Sequence, residues 1–120
     1  SRGCPRKCTF CATQSIHGYK FRQRSASDVL AEIHFLQEKY NLDSLSFHDD
    51  TFTLDRGRAI EVFKRIVEEK PNLDFSFPVG VDVRTLNEEM ISLFEKGRVT
   101  ELHIAFESGN EYVQHKVIKR

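Results

Sequence analysis

Three thiols stand close together near the start of the sequence, as Cys4-Pro-Arg-Lys-Cys8-Thr-Phe-Cys11, and the 120-residue chain has no other cysteine. Thiolates bind iron–sulfur clusters and Zn²⁺. An odd number of cysteines packed into one short stretch does not suit the disulfide framework of a secreted domain, which spreads an even number along the chain. Structural zinc needs four closed ligands. Here the fourth would have to be His17 or a residue outside this sequence. An iron–sulfur cluster held by three thiolates instead leaves one iron open. Three readings therefore stand at this point: an iron–sulfur site, a zinc site completed by His17 or from outside, and cysteines with no metal role.

The surroundings of the thiols are basic. Residues 1–25 contain Arg2, Arg6, Lys7, Lys20, Arg22 and Arg24 and no acidic residue. They lack a sustained hydrophobic period and read as a loop whose positive field stabilises thiolates and anionic ligands. Over the whole sequence Lys plus Arg is 18 and Asp plus Glu is 18, so the net charge is zero. That balance gives no global attraction to nucleic acid or anionic membranes. No apolar run approaches the roughly 18 residues that span a bilayer, and no hydrophobic signal stretch opens the chain. A cytoplasmic location is expected. The sequence begins inside the cysteine motif and ends at Val117-Ile118-Lys119-Arg120, which reads as mid-helix, so a piece of a longer protein is expected.

Regular elements must position these groups. Ser25 and Asp28 resemble a capping box, and Val29, Ile33, Leu36 and Tyr40 follow at helical spacing, with Asn41 as a stop. Leu45 and Phe47 alternate with Ser44, Ser46 and His48 as a short strand. Asp55 caps a second helix with Ala59, Ile60, Phe63, Ile66 and Val67 on its apolar face, ended by Lys70-Pro71. Asp74 to Val81 reads as a strand broken by Pro78 and Gly80 near its end. Thr85 and Glu88 form a capping box for a third helix that buries Met90, Leu93 and Phe94 and stops at Gly97. Leu102, Ile104 and Phe106 alternate as a third strand, and Asn110 caps a last helix through Val113 and Val117. Strands start about every 30 residues, the rhythm of βα units around a parallel sheet. A doubly wound sheet and a segment of a β/α barrel both fit that rhythm.

The Cys-x3-Cys-x2-Cys spacing, with Phe10 just before the third thiol, resembles the radical S-adenosylmethionine (SAM) superfamily. The stretches Phe21-Arg-Gln-Arg-Ser25, Ser46-Phe-His-Asp-Asp-Thr-Phe52 and Glu107-Ser108-Gly109 are similar to its cobalamin-binding subgroup, which includes relatives of the anaerobic magnesium-protoporphyrin IX monomethyl ester oxidative cyclase. The resemblance implies a partial (β/α)6 TIM-like barrel. Residues 1–25 would be the cluster-binding loop and residues 26–120 the βα repeats of a central part of the core domain, without its first and last strands. It implies a [4Fe-4S] cluster on Cys4, Cys8 and Cys11, SAM at the open iron, and formation of a 5′-deoxyadenosyl radical. It also implies a reductant such as flavodoxin or ferredoxin and, in the whole protein, cobalamin. The substrate is a small molecule that the resemblance does not identify.

In parallel βα folds, functional groups gather at the C-terminal ends of the strands. Here those positions carry Asp49 and Asp50, then Asp82 and Arg84, then Glu107 and Ser108. The resemblance places Phe10 near the adenine of SAM. It places Asp49 and Asp50 near the methionine amino group, where many members have Gly-Gly-Glu, and Glu107 and Ser108 near the ribose or the methionine part. Arg84 would pair with the carboxylate. Without the cysteines, Asp49-Asp50-Thr51 and Glu107-Ser108-Gly109-Asn110 are ordinary turn and cap signals, and Asp82 and Arg84 are a surface pair. The remaining histidines, His34, His48, His103 and His115, read as structural.

Two other functions fit parts of the sequence. One is a zinc-binding nucleic-acid module that uses the basic segment with Phe10 and Tyr19 as stacking groups. Against it, the rest of the chain carries an acidic excess of six. The other is an isolated piece without activity. Open sheet edges would make such a piece self-associate, rearrange or leave its cysteine loop disordered.

Overall fold

The computed structural model describes residues 1–69 and 71–119. Lys70, expected to end the second long helix, and Arg120, expected within the last one, lie outside the described residues. The elements run α1 (Thr13–His17), α2 (Ala26–Tyr40), β1 (Ser44–Ser46), α3 (Arg56–Glu69), β2 (Asp74–Val81), a 3₁₀ turn (Val83–Thr85), α4 (Glu88–Lys96), β3 (Val99–Ile104) and a π-helical turn (Val113–Ile118). The three strands are parallel and lie in chain order, β1-β2-β3. α2 packs on α3 and α3 on α4, as one layer of helices. Chain-order parallel strands under a single helix layer form a wall of a β/α barrel, and that order, which the βα rhythm alone left open, favours the barrel over a doubly wound sheet.

The core lies between that helix layer and one face of the sheet. Phe75 and Phe77 of β2 point into it, with Phe52, Phe63 and Phe94, and Phe47 packs against them. Ring centroids lie 4.6 Å apart for Phe63–Phe94, 4.7 Å for Phe47–Phe52, 5.0 Å for Phe47–Phe77 and 5.2 Å for Phe77–Phe94. Each such pair contributes about 0.5–1.5 kcal/mol beyond the area it buries. Leu30 and Val62, both buried, join the helical faces expected from the sequence. The opposite face of the sheet is polar, and Ser46 Oγ and Ser76 Oγ hydrogen-bond across it at 2.7 Å.

The helix starts are set by local side chains. Ser25 Oγ accepts the Asp28 N–H at 3.1 Å, which is the expected cap, and also donates to Asp28 Oδ2 at 2.7 Å. Asp55 Oδ1 accepts the Arg58 N–H at 3.0 Å. Three expectations are corrected. Thr85 does not cap α4: Asn87 Oδ1 accepts the Met90 N–H at 2.9 Å. Thr85 is buried instead, with its hydroxyl 2.5 Å from Thr53 Oγ1, so a tertiary partner claims it. Phe106 lies beyond the end of β3 and is exposed. Residues 1–25 are not wholly loop, since they contain the short helix α1. Gly97 does stop α4, yet Arg98 carries the left-handed φ of 61°. Gly97 is needed for space, because a Cβ there would meet Phe63 Cδ1 at 2.8 Å.

Two outcomes follow. Phe63→Ala removes a ring with no solvent exposure and should cost about 3–5 kcal/mol in denaturant unfolding; a loss under about 1 kcal/mol would mean the cluster is loosely packed. The Arg58 N–H, then Gln23, hold the Asp55 carboxyl below the usual carboxylate range. A depressed folded value means its stabilisation is present above the unfolded value and is lost as pH falls through the folded one. Asp55→Ala should therefore destabilise the protein by about 1 kcal/mol at neutral pH. The difference from the unmodified protein should close in strong acid, read from unfolding curves across that range.

Candidate cofactor-binding site

The cysteine loop is tied to residues that follow β1 and β2 and to the π-helical turn. After β1, Asp50 Oδ2 accepts the Gly3 N–H at 2.6 Å and sits 2.7 Å from His17 Nδ1. After β2, Asp82 Oδ2 meets Arg6 Nη2 at 3.1 Å. After β3, the Thr9 hydroxyl donates to the Val117 carbonyl and the Thr9 N–H to the Ile118 carbonyl, both at 2.9 Å. Parallel strands all end on one side, so one loop can reach every strand end. Gly3 makes the closest approach. Its φ is +83°, and a Cβ there would lie 2.2 Å from the Lys20 carbonyl oxygen. Only glycine fits that turn.

None of the three thiols is in a disulfide. Cys4 is buried, and Cys8 and Cys11 are half-buried. The loop turns through a Cys11 N–H to Cys8 carbonyl hydrogen bond of 3.2 Å, and the Cys11 thiol donates to Thr13 Oγ1 at 3.2 Å. Burial pushes the Cys4 thiol up, and the charges of Cys8 and Cys11 push it the same way, against the Arg6 backbone N–H and side chain. Among the described residues, no three His, Cys, Asp or Glu side chains have already converged into a metal site. The donor set nevertheless fits an iron–sulfur cluster: three free thiols close together in one short loop beside guanidinium groups.

The other expected residues divide. Asp49, Asp50, Asp82 and Arg84 are brought beside the cysteine loop. Asp49 Oδ1 accepts from the Ser1 nitrogen. Arg84 Nε and Nη2 donate to Asp82 at 2.9 and 2.6 Å, and Arg84 also feels Cys8. Burial is the largest influence on the Asp82 carboxyl and raises it, but the Arg84 hydrogen bonds with the Arg84 and Arg6 charges bring it below the usual range. Phe10 is 59% exposed within the motif. Glu107 is exposed. The Ser108 hydroxyl accepts the Asn110 N–H at 3.1 Å, a local turn bond. His17, the one histidine weighed as a fourth metal ligand, is held by Asp50. Sequence reasoning did not foresee Arg6, Thr9 or His17 as ties, because each partner is distant along the chain.

No helix among the described residues is long and apolar enough to cross a membrane. In the metal-free protein, the raised and buried Cys4 thiol should alkylate more slowly than Cys8 and Cys11 at pH 8, measured by mass spectrometry of peptides. Equal rates would contradict the burial that separates them.

Comparison with known proteins supplies the remaining findings. The sequence profile described as the radical SAM superfamily matches residues 1–120. The chain is 34% identical over 120 residues to cytidylyl-2-hydroxyethylphosphonate methyltransferase of Streptomyces wedmorensis, covering 100% of this chain and 22% of the relative. It is 34% identical over 110 residues to an uncharacterized methyltransferase of Pyrococcus horikoshii, covering 92% of this chain and 24% of the relative. It is 28% identical over 87 residues to hopanoid C-2 methylase of Rhodopseudomonas palustris, covering 72% of this chain and 16% of the relative. The chain thus spans about a quarter or less of the length of these curated relatives.

Proposed function

The chain belongs to the radical SAM superfamily, and from that membership we propose that Cys4, Cys8 and Cys11 hold a [4Fe-4S] cluster whose open iron takes the amino and carboxylate groups of SAM. What supports this reading most is the loop of three free thiols tied to residues just after β1 and β2 and to the C-terminal π-helical turn. When bound, the reduced cluster supplies the electron that cleaves SAM to a 5′-deoxyadenosyl radical, which takes a hydrogen atom from the substrate.

The residues of this chain bind and orient. Asp49 and Asp50 offer carboxylates as acceptors for the N–H groups of the SAM amine, a charge-assisted pairing. Asp50 does so while anchoring Gly3, so it fixes the loop and the ligand together. Arg84 has Nε and Nη2 engaged by Asp82 and offers Nη1 to the SAM carboxylate. Phe10 offers an exposed ring against the adenine. Glu107 and Ser108 stand for the ribose or methionine contacts. Residues 1–25 are the cluster loop, and residues 26–120 are the βα repeats of a central part of the core domain.

The reaction class we assign is methyl transfer. All three relatives above are named as methyltransferases or methylases. The stretches Phe21–Ser25, Ser46–Phe52 and Glu107–Gly109 are similar to the cobalamin-binding subgroup, so we assign cobalamin to the whole protein, held outside these residues. A flavodoxin or ferredoxin supplies the electron, and the location is cytoplasmic. A zinc-binding module has less support, because the chain belongs to the radical SAM superfamily; the Asp50 contact takes only Nδ1 of His17 and does not bear on that choice.

Under anaerobic reduction the full-length protein should cleave SAM to 5′-deoxyadenosine, measured by liquid chromatography. Cys8→Ala should bring cleavage to the level without protein, and Asp50→Asn should weaken SAM binding by about 10- to 100-fold if its pairing resembles other supporting contacts at metal sites. Cleavage by Cys8→Ala at the rate of the unmodified protein would remove the cysteines from the chemistry.

A further inference from the structure

Arg6 lies inside the motif, between Cys4 and Cys8, and is held at two points. Its carbonyl accepts Gln14 Nε2 at 2.7 Å. Its Nη2 lies 3.1 Å from Asp82 Oδ2. The same Asp82 carboxylate takes Arg84 in two-pronged fashion, Nε on Oδ1 at 2.9 Å and Nη2 on Oδ2 at 2.6 Å, and its Oδ1 accepts the Arg84 backbone N–H at 3.1 Å. The Asp82 side chain is 11% exposed, against 38% for Arg6 and 42% for Arg84. One shielded carboxylate thus sits between two guanidinium groups, leaving one net positive charge beside the thiols. Such bidentate pairing fixes direction as well as distance.

As a stability device this arrangement would be weak, since ion pairs with exposed partners contribute little. Its placement argues for something else. Asp82 closes β2, so it moves with the phenylalanine core, whereas Arg6 belongs to the turn that separates two thiols. We propose that Asp82 and Arg6 form a positioning clamp that sets the Cys4–Cys8 turn over the sheet and, with Arg84, fixes the positive charge that tunes the cluster's reduction potential. This rests on the reading of the cysteines as cluster ligands. Neither residue touches the reacting atoms. They act through the loop, and their charges act through space. Hydrogen bonds and net charge around a cluster are known levers on its potential.

The experiment uses the full-length protein in two forms. In the metal-free form, amide hydrogen exchange across residues 4–11 should rise several-fold in Arg6→Gln and in Asp82→Asn. The double variant should be no faster than either single one, because both break the same contact. Arg6→Lys should recover most of the protection. Asn at position 82 keeps an acceptor for the Arg84 N–H, and Arg6 is on the surface, so both variants should fold. In the iron-reconstituted form, both variants should lose iron to a chelator about tenfold faster, while their midpoint potentials part. Arg6→Gln removes a positive charge and should lower the potential; Asp82→Asn removes a negative one and should raise it relative to Arg6→Gln. Unchanged exchange in residues 4–11 would overturn the clamp. So would a rise shared equally by β2 and α4, which would make Asp82 a structural residue only. Equal potentials in the two variants would overturn the tuning. An unmodified protein that takes up no iron would sink the cluster reading beneath, and the metal-free exchange would still decide the clamp.

Discussion

The burial of phenylalanine between the sheet and the helix layer is the constraint on which the rest depends. Phe75 and Phe77 of β2 stack among Phe47, Phe52, Phe63 and Phe94, which come from β1's exit, the β1–α3 connection, α3 and α4. A strand's side chains alternate faces, so fixing Phe75 and Phe77 inward fixes the register of β2 and turns Ser76 to the other face. Ser76 then meets Ser46 of β1. Parallel pairing carries that register to β1, and to β3 with irregularities after Phe75 and Phe77, and ends all three strands on one side. The place where chemistry can be assembled is therefore decided by packing, well away from the thiols.

That shared end explains why a loop of little intrinsic order can be held. The loop contains one helix of five residues, too short to be stable alone. Its geometry comes from ties to Asp50 and Asp82, after β1 and β2, and to the π-helical turn. Two of those ties are carboxylates facing a basic loop, so the same residues that hold it also balance its charge. The uncompensated guanidinium charge remains beside Cys8 and Cys4, where thiolates and the anionic parts of a ligand gain most.

Short-range features were legible in the sequence and long-range ones were not. The Cys4-Cys8-Cys11 spacing, the Ser25 and Asp55 caps and the core periods of α3 and α4 depend on residues within a few positions of one another, and each was readable. Thr85 had the right spacing for a capping box, but Thr53 claims it from a different segment. Phe106 continued an alternation that pairing with β2 does not extend. Gly97 looked like a helix stop chosen for its backbone freedom, whereas a ring of Phe63 sets its size. The Arg6–Asp82 and His17–Asp50 contacts join the loop to strand ends far along the chain, and no local signal pairs them. The family resemblance placed the strand-end residues in one region, and the parallel order supplies the physical reason.

The central claim is that three thiols of this chain leave one iron of a cluster open to SAM. The direct measurement is anaerobic reconstitution of the full-length protein with iron and sulfide, followed by electron paramagnetic resonance of the reduced state with and without SAM. About four irons per chain at the three-thiol site, with a signal that changes when SAM is added, is the predicted result. Zinc in place of iron, or a cluster signal indifferent to SAM, would contradict it.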